Sequence, residues 1–461
     1  MRDLLYIFIR IVVLVGCFSH MSLKKLSNRP RNTAQYMQEN LHSRMTGSIM
    51  SSADQTHRKT RLGVPGDMSS AKANGQILSL VGSGRARSRS LLTELSGLSR
   101  ATVYQKLGNL IDAGFIRETE ETLPSGGRPT RALDLNRDFA VVLCADIGEQ
   151  HIRVALTDLR PTILAEISET FDILRGPTVV LEWIEEQFEA LLAATGKGAT
   201  DVIGIGIGLP APVDYANGRV VGPSVLVGWD NFDIRGHLGQ RFGVPVYAEN
   251  DVNLLALSDH RQRRSAVSEM VFVKIGTGIG CGIISEGRLY RGAQGAAGDI
   301  GHIQFAREPA PLCRCGKVGC VEARAAGWAI ARELRSEGIK AHNARDVTEL
   351  VRSGQPLAIH LVRESGRILG EVMTSLVSIL NPKVIVIGGT LATLDDHLLA
   401  GVRELVYKRS LPLATRDLEI AISPPDPDAG IVGAALLVIE EQMKEDNIDA
   451  VIARYSQRLS Q

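Results

Sequence analysis

The segment from Gly295 to Glu322 constrains this chain more than any other. It reads GAAGDIGHIQFAREPAPLCRCGKVGCVE and gathers His302, Cys313, Cys315 and Cys320 into one glycine-rich stretch. One imidazole and three thiols form the tetrahedral N/S set that zinc takes, with every position supplied by protein. A closed set leaves no place for a water, so it implies a structural ion rather than a catalytic one. Ordinary buried cysteines are the competing reading, but packing alone does not explain the spacing Cys-x-Cys-Gly-x-x-Gly-Cys. A disulfide would need an oxidising compartment, and the remaining cysteines, Cys17, Cys144 and Cys281, are scattered in a way that fits a reducing cytoplasm.

Gly295-x-x-Gly298-Asp299-x-Gly301-His302, followed by Cys313-x-Cys315-Gly316-x-x-Gly319-Cys320-x-Glu322, resembles the signature of the ROK family (repressor, open reading frame, kinase). That family holds sugar kinases and sugar-responsive transcription factors. The resemblance runs from about Phe139 to Glu440. It implies an α/β fold in which a two-lobed, actin-like (ribonuclease H-like) ATPase domain follows whatever precedes Phe139.

What precedes it is basic. Residues 1–131 carry 19 Lys/Arg against 9 Asp/Glu, whereas the remainder carries 33 against 42. A basic front on an acidic body suggests that the front meets a polyanion. Within it, periodicity predicts a helix over Ala71–Val81, a second over Ser88–Leu95, and a third that Ser99 caps and Gly114 ends. Phe115–Arg117 and Ala132–Leu135 then read as two strands joined by residues 121–131. This order predicts an N-terminal winged helix-turn-helix. In such a module the second helix of the motif enters the major groove. Val103, Leu107 and Leu110 should pack inward, which leaves Arg100, Thr102, Gln105 and Lys106 outward beside the cap Ser99. Arg and Gln suit guanine and adenine edges, and Lys and Thr suit phosphates. Arg128, in the Gly-Gly-Arg-Pro wing that ROK repressors commonly carry, is placed for an adjacent minor groove.

Downstream, alternating strands and helices begin twice with the same strand–turn–strand pattern, at Val141–Asp158 and at Met270–Ser285, which suggests two homologous lobes and a cleft between them. By the family resemblance, Asn250, Asp251, Asp299, His302 and Glu322 should meet a sugar in that cleft. Asp251 stands where family kinases keep their general base, Gly228-Trp229 matches a pair near the sugar, and Asp299 replaces the usual Glu with a shorter acid. The family's first phosphate loop, Asp-x-Gly-Gly-Thr-Lys, is here Asp146-Ile147-Gly148-Glu149-Gln150-His151. Glu149 and Gln150 remove the second glycine and the threonine, and a carboxylate sits where phosphate would lie. The second loop, Gly276–Gly280, and Gly388-Gly389 are retained.

The expected organisation is thus a disordered or mis-assigned extension over 1–70, a DNA-binding domain over 71–136, a sugar-binding domain over 139–441 and a polar tail over 442–461. Leu4–Phe18 is too short and interrupted for a membrane span. We read it as a start codon placed too far upstream, with Met21, Met50 and Met68 as alternatives, rather than as a targeting segment. The expected function is a cytoplasmic, sugar-responsive repressor of carbohydrate-use genes that is not an enzyme, with structural zinc, a double-stranded DNA operator, a sugar or sugar-phosphate effector and a homo-oligomeric state (dimer or tetramer). The alternatives are an ATP-dependent sugar kinase with an accessory DNA-binding domain, and a DNA-binding protein whose sugar site is vestigial.

Overall fold

Alternate side chains of the strand Val141–Ile147 enter two different cores, and the fold is organised around that strand. The computed structural model describes residues 70–123, 129–149, 151–222 and 226–456. The N-terminal extension, Arg128 with its Gly-Gly-Arg-Pro loop, Gln150 and the last five residues of the expected tail lie outside the described residues.

The described chain opens with α1 (Ser70–Gly82), α2 (Arg89–Ser96) and α3 (Arg100–Asp112). The Ser88 hydroxyl accepts the Leu91 N–H and the Ser99 hydroxyl accepts the Thr102 N–H, so each of the two later helices starts at a serine cap. An antiparallel pair follows, β1 (Ile116–Leu123) and β2 (Thr130–Leu135). β1 runs further than expected, and Glu118 and Glu121 pair with Arg89 and Arg87. Ile77, Leu78, Leu92, Val103, Leu107, Leu110, Phe115 and Leu133 are all fully buried and close this head.

The body has two sheets with one topology. The first lobe comprises β3 (Val141–Ile147), β4 (His151–Thr157), β5 (Ile163–Thr170), α4 (Pro177–Thr195), β6 (Val202–Leu209), the short pair β7 (Val213–Asp214) and β8 (Arg219–Val220), α5 (Ile234–Phe242) and β9 (Val246–Asn250). Its order is β5-β4-β3-β6-β9, antiparallel across the first three and parallel from β3 through β9. α6 (Asp251–Arg263) crosses to the second lobe. That lobe comprises β10 (Met270–Ile275), β11 (Ile279–Ser285), β12 (Arg288–Tyr290), α7 (Glu322–Ala325), α8 (Gly327–Ser336), α9 (Ala344–Arg352), α10 (Pro356–Leu380), β13 (Val384–Gly388), α11 (Asp395–Arg409), α12 (Pro412–Thr415) and β14 (Glu419–Ile422). The order β12-β11-β10-β13-β14 repeats the first sheet strand for strand. α13 (Ala429–Gln442) and α14 (Glu445–Ser456) complete the described chain.

α13 lies so close on β6 that a Cβ on Gly206 would sit 2.5 Å from the Ala434 carbonyl oxygen. The run of glycines in β6 is therefore a packing surface. The sequence pattern by itself reads as a helix over Gly366–Leu380 leading into the strand Val384–Ile387, but α10 starts at Pro356, ten residues earlier. Gly366 does not begin the helix. It admits the crossing α11, because a Cβ there would meet the Leu398 carbonyl oxygen at 2.3 Å.

The described part of the expected polar tail, residues 442–456, is instead part of the core. Ile448 and Tyr455 of α14 are buried against the head, and the Tyr455 ring lies 4.5 Å from Phe139 and 6.2 Å from Phe115 between centroids. Asn74 of α1 donates to Asp449 of α14 at 3.1 Å. The sequence hides this because α14 (EDNIDAVIARYS) is short and opens and closes on polar residues, and its partner surface is supplied by residues such as Asn74, 375 positions earlier. Tyr455→Ala should destabilise the protein by roughly 3 kcal/mol, the cost of emptying a buried aromatic site. A change below about 1 kcal/mol in denaturant unfolding would remove α14 from the core.

Candidate functional site

Side chains near the carboxyl ends of the parallel strands of the two sheets meet through the ion pairs Asp251–Lys274 and Glu149–Arg314, and the carboxyl ends of such strands are the position where open α/β sheets bind ligands. Asp146 is the penultimate residue of β3, Asn250 ends β9 and Asp251 begins α6, while β10 leads through the turn 276–278 into β11.

Asn250 caps α6. Its side-chain oxygen accepts the Val252 N–H at 3.0 Å and its amide donates to the Ala211 carbonyl at 3.1 Å. Asp251 forms an ion pair with Lys274 of β10. Burial opposes the charge on Lys274, but Asp251, Asp146 and Glu149 hold its pKa above the ordinary value. Burial, and then the Asp251 charge, push the Asp146 carboxyl upward. Beneath them lies Glu249, 1 % exposed. One of its oxygens accepts the Asn250 N–H and the Asn253 amide at 2.9 and 2.8 Å, and the other accepts the Arg291 Nε–H. The Arg291 guanidinium stands 3.9 Å over the Tyr215 ring.

From the second lobe, Glu322 at the start of α7 turns both oxygens to its own chain. It accepts the Ile279 N–H at 3.2 Å and the Trp328 indole N–H at 3.2 Å. Arg314 bridges the lobes. Its two terminal nitrogens donate to the two oxygens of Glu149 at 3.1 and 3.3 Å, one of them also lies 3.7 Å from Glu322, and its plane rests 5.1 Å from the Trp328 ring centre. Asp299 is exposed and stands apart from these hydrogen bonds. Trp229, expected near a ligand, is fully buried in the first-lobe core, with its indole N–H unpartnered.

Arg314 lies between two cluster cysteines. His302, Cys313, Cys315 and Cys320 bring their ligand atoms within 4.8 Å of one another. The Cys315 and Cys320 sulfurs are 3.8 Å apart, and Cys313 Sγ is 3.7 Å from His302 Nδ1. A tetrahedron with metal–sulfur bonds of about 2.3 Å has edges of about 3.8 Å, so the four residues fit a metal ion. Burial, and then Cys315 and Cys313 beside it, push the Cys320 thiol up to about 12. Ion binding must therefore release protons.

Sequence reasoning missed Lys274, Glu249, Arg291 and Arg314. A signal was present for the first, since a lysine in the otherwise apolar strand MVFVKI has to find a counter-charge. Arg314 was visible only as the variable residue of a Cys-x-Cys motif.

The ROK family model matches residues 142–441. The chain belongs to the ROK family. Among ROK relatives, the xylose repressor of Caldicellulosiruptor bescii is 26% identical over 373 residues, covering 77% of this chain and 92% of its own. A glucokinase of Halalkalibacterium halodurans is 29% identical over 317 residues, covering 64% of this chain and 94% of its own. Among solved structures, a ROK family transcriptional regulator homologous to the E. coli MLC protein superposes with TM-score 0.72 at 25% identity, over 84% of this chain and 99% of that one. Among the described residues no helix is long and apolar enough to cross a membrane.

Cys315→Ser should abolish stoichiometric metal binding and lower the melting temperature. A normal metal content by elemental analysis of the purified variant would show that the four residues are not a ligand set.

Proposed function

We propose that this ROK protein is a sugar-responsive DNA-binding repressor of carbohydrate-use genes, with a winged helix-turn-helix head, and that it is not an enzyme. One observation carries the reading: the structural match to a ROK regulator takes in 84% of the chain, enough to include the head, whereas the glucokinase match takes in 64%.

In the head, α3 is the recognition helix. Arg100 and Gln105 are exposed at its surface, Thr102 and Lys106 are half-buried, and Ser99 caps it. Tyr104, 61% exposed with Arg89 over its ring, adds a stacking surface that the sequence reading left out. Arg128 in the wing contributes to the same interface. Asn250, Asp251, Asp299, His302 and Glu322 form the sugar site, with Asp251 binding a hydroxyl rather than acting as a base, because Lys274 already holds its charge. Zinc is the ion that suits one imidazole and three thiolates, and it would fix the loop that carries Arg314 and leads into Glu322.

Effector binding reaches the head through contacts that begin at Asn250 and Asn253. Glu249 ties both to Arg291, which stacks on Tyr215. The Tyr215 hydroxyl is buried beside Glu441 at the end of α13, and burial, chiefly, raises its pKa. The Glu441 carbonyl and carboxylate hold Asn447 and Lys444 at the start of α14, which packs on the head. A ligand with unequal affinity for two lobe arrangements therefore changes how firmly the head is held. A homo-oligomer supplies the paired heads that paired half-sites need.

Kinase chemistry needs positioned phosphate ligands, and here Glu149 occupies Arg314 in the first phosphate loop. Sugar-dependent ATP turnover that vanished in Asp251→Asn would reinstate the kinase reading.

Arg100→Ala should weaken binding to the operator by roughly 1–3 kcal/mol, and an unchanged anisotropy titration would take it out of the interface. Asp251→Ala should still bind the operator while losing its release by sugar; a normal sugar response would put Asp251 outside the site.

A further inference from the structure

Arg314, Lys274 and the Ile279 N–H are groups able to hold an anion, and these three are each matched to a carboxylate of this chain. Arg314 holds Glu149 with both terminal nitrogens, Lys274 holds Asp251, and the Ile279 N–H donates to Glu322. The first of these pairs differs from the others. Glu149 lies on the β3–β4 turn of the first lobe, and here the carboxylate as well as the cation remains about one-third exposed, whereas Asp251 and Glu322 are largely buried. We propose that Arg314 is a latent anion-binding site which Glu149 keeps occupied, and that this pair makes Glu149 a specificity-determining residue reserving the cleft for uncharged ligands.

The inference rests on the sugar-binding reading and narrows it to neutral, unphosphorylated sugars. A bidentate guanidinium–carboxylate pair is the arrangement an incoming phosphate or sugar acid would itself adopt on Arg314. To do so it would have to displace a tethered carboxylate, whose effective concentration is high because the loop holds it in place. The displaced Glu149 would then stand near the newcomer with the same sign of charge, and the Glu322 carboxylate already lies 3.7 Å from Arg314. A neutral polyol meets no such penalty, because its hydroxyls donate to carboxylate lone pairs that the ion pairs leave free. Trp328 under Arg314 favours the same outcome, since it keeps the guanidinium plane turned toward Glu149.

Isothermal titration of the full chain with inorganic pyrophosphate tests this directly, in the unsubstituted protein, Glu149→Gln, Glu149→Asp and Glu149→Gln with Arg314→Gln. The expected result is at least about a tenfold gain in pyrophosphate affinity for Glu149→Gln, from removal of one competing charge. Glu149→Asp should keep the exclusion, and the added Arg314→Gln should abolish the gain. Equal pyrophosphate affinity in the unsubstituted protein and Glu149→Gln would overturn the proposal, as would a gain that survives the loss of Arg314. The sugar reading is scored separately, by thermal shift of the same proteins with neutral monosaccharides and their phosphates. No neutral-sugar shift alongside an intact pyrophosphate gain would overturn the sugar reading and leave the Arg314 site standing. A neutral-sugar shift matched by the phosphorylated sugar in the unsubstituted protein would overturn the specificity role alone.

Discussion

Helix α6 is the element on which the two lobes depend together. Leu254 and Leu257 pack with α13, while Val252 and Ala256 pack against β10 and the second sheet. A Cβ on Gly433 of α13 would come 2.2 Å from the Leu254 carbonyl oxygen, so the two helices meet backbone to backbone. Such a contact cannot be loosened by side-chain rearrangement, because a close-packed interior transmits displacement rather than absorbing it. The N-terminus of this shared helix carries Asn250 and Asp251. Anything that pulls on those two residues acts on both lobes and on α13 at once.

Charge accounts for the rest of the cleft. Lys274, Arg291 and Arg314 are all at least half-withdrawn from water, and each faces a carboxylate from another part of the fold. Buried ion pairs add little net stability, but removing one partner is costly because the other is left without a counter-charge. Their value here is geometric. Arg291 fixes Glu249, Glu249 fixes Asn250 and Asn253, and Arg314 joins the loop of the cysteine cluster to the first lobe. None of these three cations is left without a carboxylate partner.

Much of this was legible in the sequence for reasons that can be stated. Serine caps, apolar spacing and glycine stops are local signals, and they located α2 and α3 to within a residue. The His302–Cys320 cluster was legible because a metal set needs particular atoms at close spacing, and the chain supplies all four within a few turns. α10 was read too short because Gly366 has a role in packing that resembles a helix signal, and Trp229 was placed by analogy where the structure buries it. α14 reads as a tail because Ile448, Val451 and Tyr455 find their core only with residues of the head and the first lobe.

The sequence by itself determined the family, the close spacing of one histidine and three cysteines, and the presence of a basic front. Each is written in residue types at fixed short spacings, which the physics of turns, caps and coordination makes readable. Only the tertiary structure decided which charges meet. Glu149 and Arg314 are 165 positions apart and come from different lobes, and no periodicity or motif records such a pair. It exists because two sheets of identical topology close face to face, and that closure is set by the packing of α6 and α13 between them.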